Sequence, residues 1–406
     1  MALTVTSYSS IECVDLADWG QVCDVANDLL MHPAFLGAAE AGLRGGTAGA
    51  KSSGVATEFW YLLVYDGATP VGAACVTEYP LDTMVLASPL AHRVVAVVRK
   101  FFPRYLKFRV TWCGLPISTA GSNLRVVAGA DAEAVLAAIN ARIEKISRRR
   151  KTWLVVHKEL DPREAARFGS MTAAGYVRAE SLPMNRILRR HEGFEAMLAA
   201  MRSHYRYKIA KSRKKLAARG VDIRRTCVPE EIAASYTPTL HAMYERVTLR
   251  SEHRLEVLPR EYFLELAARF PGELQLTTLR HEGCVIAFAW SLRHGKTYRN
   301  LFVGIDDDQN EESDAYFNLM VEDVAQAMSQ PVEEMLVGQT ADDFKSRLGC
   351  TSDPRYLFIK VTNGFIRWWF NRFQESFLTP PPAPPQRDVF RQEEPAADPE
   401  PHPAVT

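Results

Sequence analysis

Residues 272–361 carry the pattern that most restricts what this chain can fold into. Three short runs, 272–279, 284–292 and 298–305, are rich in apolar and β-branched residues and are separated by glycine-containing turns, so they read as consecutive strands. After Ser313 and Asp314, both good helix N-caps, apolar side chains recur at helical spacing over 315–328. Residues 334–338 read as a fourth strand, 341–348 as a short helix closed by Gly349, and 356–361 as a fifth strand. The order β-β-β-α-β-α-β joins an antiparallel half to a crossover half in one layered α/β unit.

A similar order occurs earlier in the chain. Residues 59–65 and 71–77 form a hairpin around Asp66-Gly67, 106–114 a further strand, and 131–146 an amphipathic helix with Ala134, Leu136, Ile139 and Ile143 on or near one face. A strand from Trp153, a helix over 161–172 and a strand over 176–188 complete the series. Residues 158–168 and 337–348 then occupy the same place in the two series, which implies an internal duplication. A chain of 406 residues exceeds one core, and 47% hydrophobic with 24% charged residues is ordinary for globular protein. The expected division is an N-terminal degenerate unit over 1–190, a basic linking helix over 191–220, a catalytic unit over 221–378 and a disordered tail over 379–406. The tail is too rich in proline and acid to bury an ordered core. A helix is expected over 17–31 and a mobile Gly/Ala/Ser-rich loop over 42–54.

Lys and Arg number 49 against 48 Asp and Glu, so attraction to phosphate or membrane has to come from a local patch. One stands out. Arg202, Arg206, Lys208, Lys211, Arg213, Lys214, Lys215 and Arg219 fall within one helix ending at Gly220, with no acid among them, while Met201, Tyr205, Ile209 and Leu216 turn inward. Such a run repels itself along i,i+4 pairs, which favours an anion site over a solvated face. The run 148–151 is expected to complement the C-terminal dipole of its own helix. Scattered cysteines without metal-ligand spacing read as reduced core residues, and no stretch reaches membrane-span length, so the expectation is a cytoplasmic protein without a metal. The aromatic and basic segment 365–373 is expected to pack on its own domain, with peripheral membrane contact as the competing reading. The polar stretch 248–254, with Arg250, His253 and Arg254, reads either as a connection or as the mouth of a substrate site.

Tandem α/β units joined by a basic helix, with the strings Ser203-His-Tyr-Arg-Tyr-Lys-Ile-Ala-Lys, Asn300-Leu-Phe-Val-Gly, Ala315-Tyr-Phe-Asn-Leu and Gly338-Gln-Thr-Ala-Asp-Asp-Phe-Lys-Ser-Arg-Leu-Gly, resemble the FemABX-type branch of the GNAT superfamily. The resemblance covers roughly residues 55–361 and implies tandem GNAT-like units, each a mixed sheet with flanking helices. It also implies transfer of an acyl or aminoacyl group to a small-molecule amine acceptor. The co-substrate would be acetyl-CoA or another acyl-CoA, or aminoacyl-tRNA if the acceptor is a cell-envelope precursor. Such proteins usually cradle the pyrophosphate in a glycine-rich loop, where this chain has five acids over 306–312. No Ser/His/Asp or Cys/His motif is present, so direct attack is expected. On this reading Asn300 and Gln339 orient the carbonyl or amine, Tyr298 and Tyr244 position groups or handle protons, and Arg206, Lys208, Lys211, Arg250 and Lys345 hold anionic parts of donor or acceptor. Tyr205 and Tyr207, interleaved with cations, leave tRNA or another RNA as an alternative partner.

Overall fold

In the computed structural model, residues 3–44, 57–82, 99, 107–117, 119, 121–250, 257–340 and 342–364 are described, and beyond them 366–368, 370, 372, 378, 385 and 387–391. The first half contributes strands β1 (Thr4–Tyr8), β2 (Glu58–Asp66), β3 (Thr69–Asp82), β4 (Lys107–Cys113), β5 (Leu124–Val126), β6 (Leu154–Leu160) and β7 (Val177–Leu188). The second contributes β8 (Asp222–Thr226), β9 (Leu274–His281), β10 (Cys284–His294), β11 (Thr297–Ile305), β12 (Glu334–Gly338) and β13 (Thr351–Val361). They form one 13-stranded sheet in the order β1-β2-β3-β4-β6-β13-β7-β12-β11-β10-β9-β8, with β5 paired to β3.

This order is a palindrome of two like units. Matching β1 to β4 with β8 to β11, β6 with β12 and β7 with β13, and leaving β5 without a counterpart, each half supplies a meander, a parallel crossover and a final strand. The final strands are exchanged: β13 lies against β6, β7 lies against β12, and β7 pairs antiparallel with β13. In the first unit Cys113 of β4 is in register with His157 of β6; in the second, Arg299 of β11 is in register with Leu336 of β12. The next residues, Lys158 and Val337, are therefore counterparts, as the aligned strings imply. Their neighbours Glu159 and Gly338 both adopt left-handed backbone, at φ 62° and 89°.

On one face of the sheet the helices that follow β1 and β8 share a core. Trp19, Phe35 and Tyr61 from the first half join Tyr236, Tyr262, Phe263 and Trp290 from the second. Each such fully buried large side chain contributes about 1.5–3 kcal/mol relative to exposure. Contact is close enough that a Cβ on Gly42 would lie 2.7 Å from the Tyr262 backbone. The other face carries one crossing helix per unit. Ala132–Arg150 begins where the Asp131 side chain accepts from Ala134 N, and it buries Ile139 and Ile143. Ala315–Met328 buries Leu319, Val321 and Val324. The basic helix, Ser203–Ala218, lies on that second crossing helix through Ile209 and Leu216.

Several expectations need correction. The helix expected over 17–31 stops at Val22, because Asp24 folds a turn in which its carboxylate accepts from Asn27 Nδ2; Leu29–Met31 is a separate 3-10 turn. A further helix, Pro33–Leu43, takes the first residues assigned to the mobile loop; 45–56 lie outside the described residues. Its start was legible as Pro33 at N1. The acid-rich loop is a helix, Asp307–Ser313, whose N-cap Asp306 accepts from Asp308 N and Gln309 N. Residues 248–250 end the helix Pro238–Arg250, and His253 and Arg254 lie outside the described residues. Cys23, Cys75 and Cys113 are buried, but Cys13, Cys227 and Cys284 are exposed. In the tail, Val389 is buried, its carbonyl accepts from Arg202 N at 2.9 Å, and Arg391 N donates to Ala200 O at 2.9 Å. Most of the remaining tail lies outside the described residues. In the aromatic and basic segment, Phe370 packs against the cluster of Tyr79 and Trp112, while Trp368 is 62% exposed. Among the described residues no helix is long and apolar enough to cross a membrane.

Candidate active site

The parallel pairing of β11 with β12 ends at Arg299 and Leu336, while β11 runs on to Ile305. Asn300 is the first residue beyond that register. Its Nδ2 donates to Asp323 Oδ2 at 2.8 Å, and the other carboxylate oxygen accepts from Tyr298 Oη at 2.7 Å and Ser291 Oγ at 2.6 Å. Two residues expected at the site, Asn300 and Tyr298, are thus joined by a third that the sequence reading missed. Asp323 sits on the crossing helix one turn after Leu319, and an acid on that apolar face was the available signal. Burial raises the Asp323 pKa, and its three hydrogen bonds lower it. Burial also lifts the Tyr298 hydroxyl well above the usual range, with the Asp323 charge acting in the same direction.

The other expected residues are placed elsewhere. Gln339 Nε2 donates to Glu159 Oε2 and Leu182 O, both at 2.7 Å, so its amide hydrogens tie the two units together. Tyr244 is core: its hydroxyl accepts from Leu258 N at 3.1 Å, and its ring meets Phe263 and Phe302. Arg250 forms an exposed ion pair with Asp307. Lys345 is buried behind β12, where a Cβ on Gly338 would lie 3.3 Å from its Nζ. Arg206 Nη1 donates to Ala199 O and Met201 O, which caps the end of the preceding helix.

Four of the eight cations of the basic run are paired with acids, three in the second unit and one in the tail. Arg202 pairs with Asp388, Arg213 with Glu322 at 3.0 Å, Lys215 with Asp314 at 2.7 Å and Arg219 with Glu312. The acid-rich segment therefore faces cations instead of cradling an anion, which explains its departure from a glycine-rich loop. Asn310 Oδ1 also accepts from Tyr316 N, taking one of the first amide groups of the crossing helix. Lys208 and Lys211 differ. Like Lys214 they are exposed and have no ion pair or hydrogen bond among the described residues, but they line a cleft of about 240 Å³ with Tyr205, Ser212, Asp314, Phe317 and Arg347. The cleft lies between the basic helix, the start of Ala315–Met328 and the end of Asp342–Ser346; the last two meet through the rings of Phe317 and Phe344, 5.3 Å apart.

The matching position in the first unit is filled. Lys158 is buried, its Nζ donates to Leu115 O at 2.9 Å and Ile117 O at 3.1 Å, and a Cβ on Gly114 would lie 2.5 Å from its Cγ. Gly114 follows Cys113 as Asn300 follows Arg299, so the point where the strands part is plugged in one unit and polar in the other.

Residues 203–346 match the family model described as an acetyltransferase (GNAT) domain. None of the curated proteins compared matches. Among solved structures, the C-terminal domain of a putative lysylphosphatidylglycerol synthetase from Agrobacterium fabrum is 10% identical, covering 90% of this chain and 97% of that one at TM-score 0.49. FemX is 10% identical over 77% of this chain and 90% of its own, at TM-score 0.48. A tandem GNAT protein from the clavulanic acid biosynthesis pathway is 14% identical over 89% and 99%, also at 0.48. The match covers residues 203–346 alone, which fall largely within the second half of the duplicated topology above.

Proposed function

We propose that the chain is an N-acyltransferase with one working site, in its second unit, where an amine attacks the acyl carbonyl of a CoA thioester directly. The observation that carries this reading is the pair of unpartnered lysines, Lys208 and Lys211, beside Arg347 in a cleft flanked by the crossing helix. Multiply charged phosphates are held by converging ammonium and guanidinium groups, so these residues fit the phosphate-bearing part of such a donor. When bound, the thioester supplies an activated carbonyl. The chain's own contribution is to position the amine and receive its proton into solvent or a base. Asn300 is the positioning residue we assign: its Nδ2 is fixed by Asp323, which leaves Oδ1, without a partner among the described residues, to accept an amine N–H. Tyr298 and Ser291 keep Asp323 in place. Gln339 and Tyr244 are assigned to structure.

A second reading is supported by Tyr207, 66% exposed beside Lys208, which offers a ring on which a base can stack, so aminoacyl-tRNA is the alternative donor. Thiol release from acetyl-CoA with a panel of amines tests the first reading. Asn300→Ala is expected to lower kcat/KM at least tenfold while unfolding stays cooperative. Undiminished turnover in that variant would remove Asn300 from the site, and release only in the presence of charged tRNA would replace the donor.

A further inference from the structure

A half-buried cation beside the opening of the sheet has two buried guanidinium nitrogens without a partner among the described residues. Arg299 is the last β11 residue in register with β12, opposite Leu336, and it pairs across β10 with Leu292. Its Nε and Nη1 atoms are buried and make no hydrogen bond among the described residues. The charges around it are already engaged. Asp28 binds Arg125 at 2.6 and 3.1 Å, Arg125 also reaches Glu164 at 3.4 Å, and Glu334 pairs with Arg186 at 3.5 Å. Burial brings the Arg299 pKa down to about 10, with Asp28 and Glu334 opposing that fall, so the side chain is charged at neutral pH.

Nothing in the fold demands a guanidinium there. The counterpart on β4 is Cys113, a small buried thiol. An unpaired buried charge is costly to keep, and a guanidinium is a planar fork of donors matched to carboxylate and phosphate oxygens. Arg299 also precedes Asn300, so it stands where β11 and β12 part.

We propose that Arg299 binds the anionic group, a carboxylate or a phosphate, of the amine that accepts the acyl group. The acceptor is then a zwitterion, an amino acid or an aminophosphate, and not a plain amine. Calling it the acceptor rests on the transferase reading; the anion site does not.

The test is calorimetric titration of the full chain, with no thioester present, using glycine, O-phosphoethanolamine and ethanolamine. Wild type is expected to bind one of the two anionic probes at least tenfold more tightly than ethanolamine, and whichever binds identifies the group. Arg299→Gln should bring that probe down to the ethanolamine level without lowering the melting temperature. Arg299→Lys, which keeps the charge and loses the fork, should fall between. Equal binding of all three probes by wild type overturns the proposal, as does wild-type affinity in Arg299→Gln. Should Arg299→Gln not fold, the comparison with Arg299→Lys decides, and equal tightness again overturns it. Because no donor is present, failure here leaves the donor reading intact, and loss of donor binding through the cleft lysines leaves this site standing.

Discussion

At Asp323 three donors converge on one buried carboxylate, and at His157 burial acts alone. His157 lies on β6 with Nε2 buried and unpartnered among the described residues, its ring 5.4 Å from that of Tyr176. Burial lowers its pKa from 6.5 to about 3. The folded chain therefore binds the proton less readily than the unfolded chain. Its contribution is fully present above pH 6.5, declines as pH falls through the window, and is gone below about 3. The effect is on the order of a few kcal/mol. Denaturant unfolding at successive pH values is expected to show His157→Phe losing less stability than wild type between pH 6.5 and 3; parallel curves would contradict this. Neither burial was legible in the sequence. A lone histidine in a strand and a lone acid in a helix acquire their character from residues far along the chain, such as Tyr298 for Asp323.

Most elements were legible. Strand β12 and the crossing helix Ala315–Met328 coincide with their expected spans, because apolar periodicity and caps are local signals. Glycine-marked turns placed the meander, and Glu282 and Gly283 indeed take positive φ between β9 and β10. The pairing of charges was not legible. The basic run reads as one anion site, yet Arg213, Lys215 and Arg219 are met by acids about a hundred residues away. At this scale Lys158 separates the two units, since its ammonium bridges carbonyls where β4 and β6 part. Lys158→Met keeps much of the stem and removes the donor. Leaving those carbonyls unsatisfied is expected to lower stability by about 1–3 kcal/mol in denaturant unfolding. Donor stoichiometry should remain one per chain. Unchanged stability, or a second equivalent of donor bound, would contradict the plugged-unit account.

Across the whole molecule the exchanged strands matter most. The boundary expected at residue 190 divides the chain between β7 and β8, yet β7 lies against β12 and β13 against β6, with Gln339 joined further to Glu159. Sequence order shows two repeats but not which final strand each unit receives, because that choice depends on long-range pairing. Global charge bears on function in one way. With 49 basic and 48 acidic residues the chain has little overall field, so any steep salt dependence of donor binding must arise in the cleft. The most direct measurement is calorimetric titration of acetyl-CoA into wild type and the Lys208→Gln, Lys211→Gln double variant at low and high salt. Each charge-assisted contact is worth about 1.5–3 kcal/mol if well formed, so the variant should bind at least tenfold more weakly. Its melting temperature should be unchanged, since Gln and Lys have similar helix propensity, and its salt dependence should be shallow where the wild type's is steep. Equal affinity and equal salt dependence in the two proteins would contradict the account.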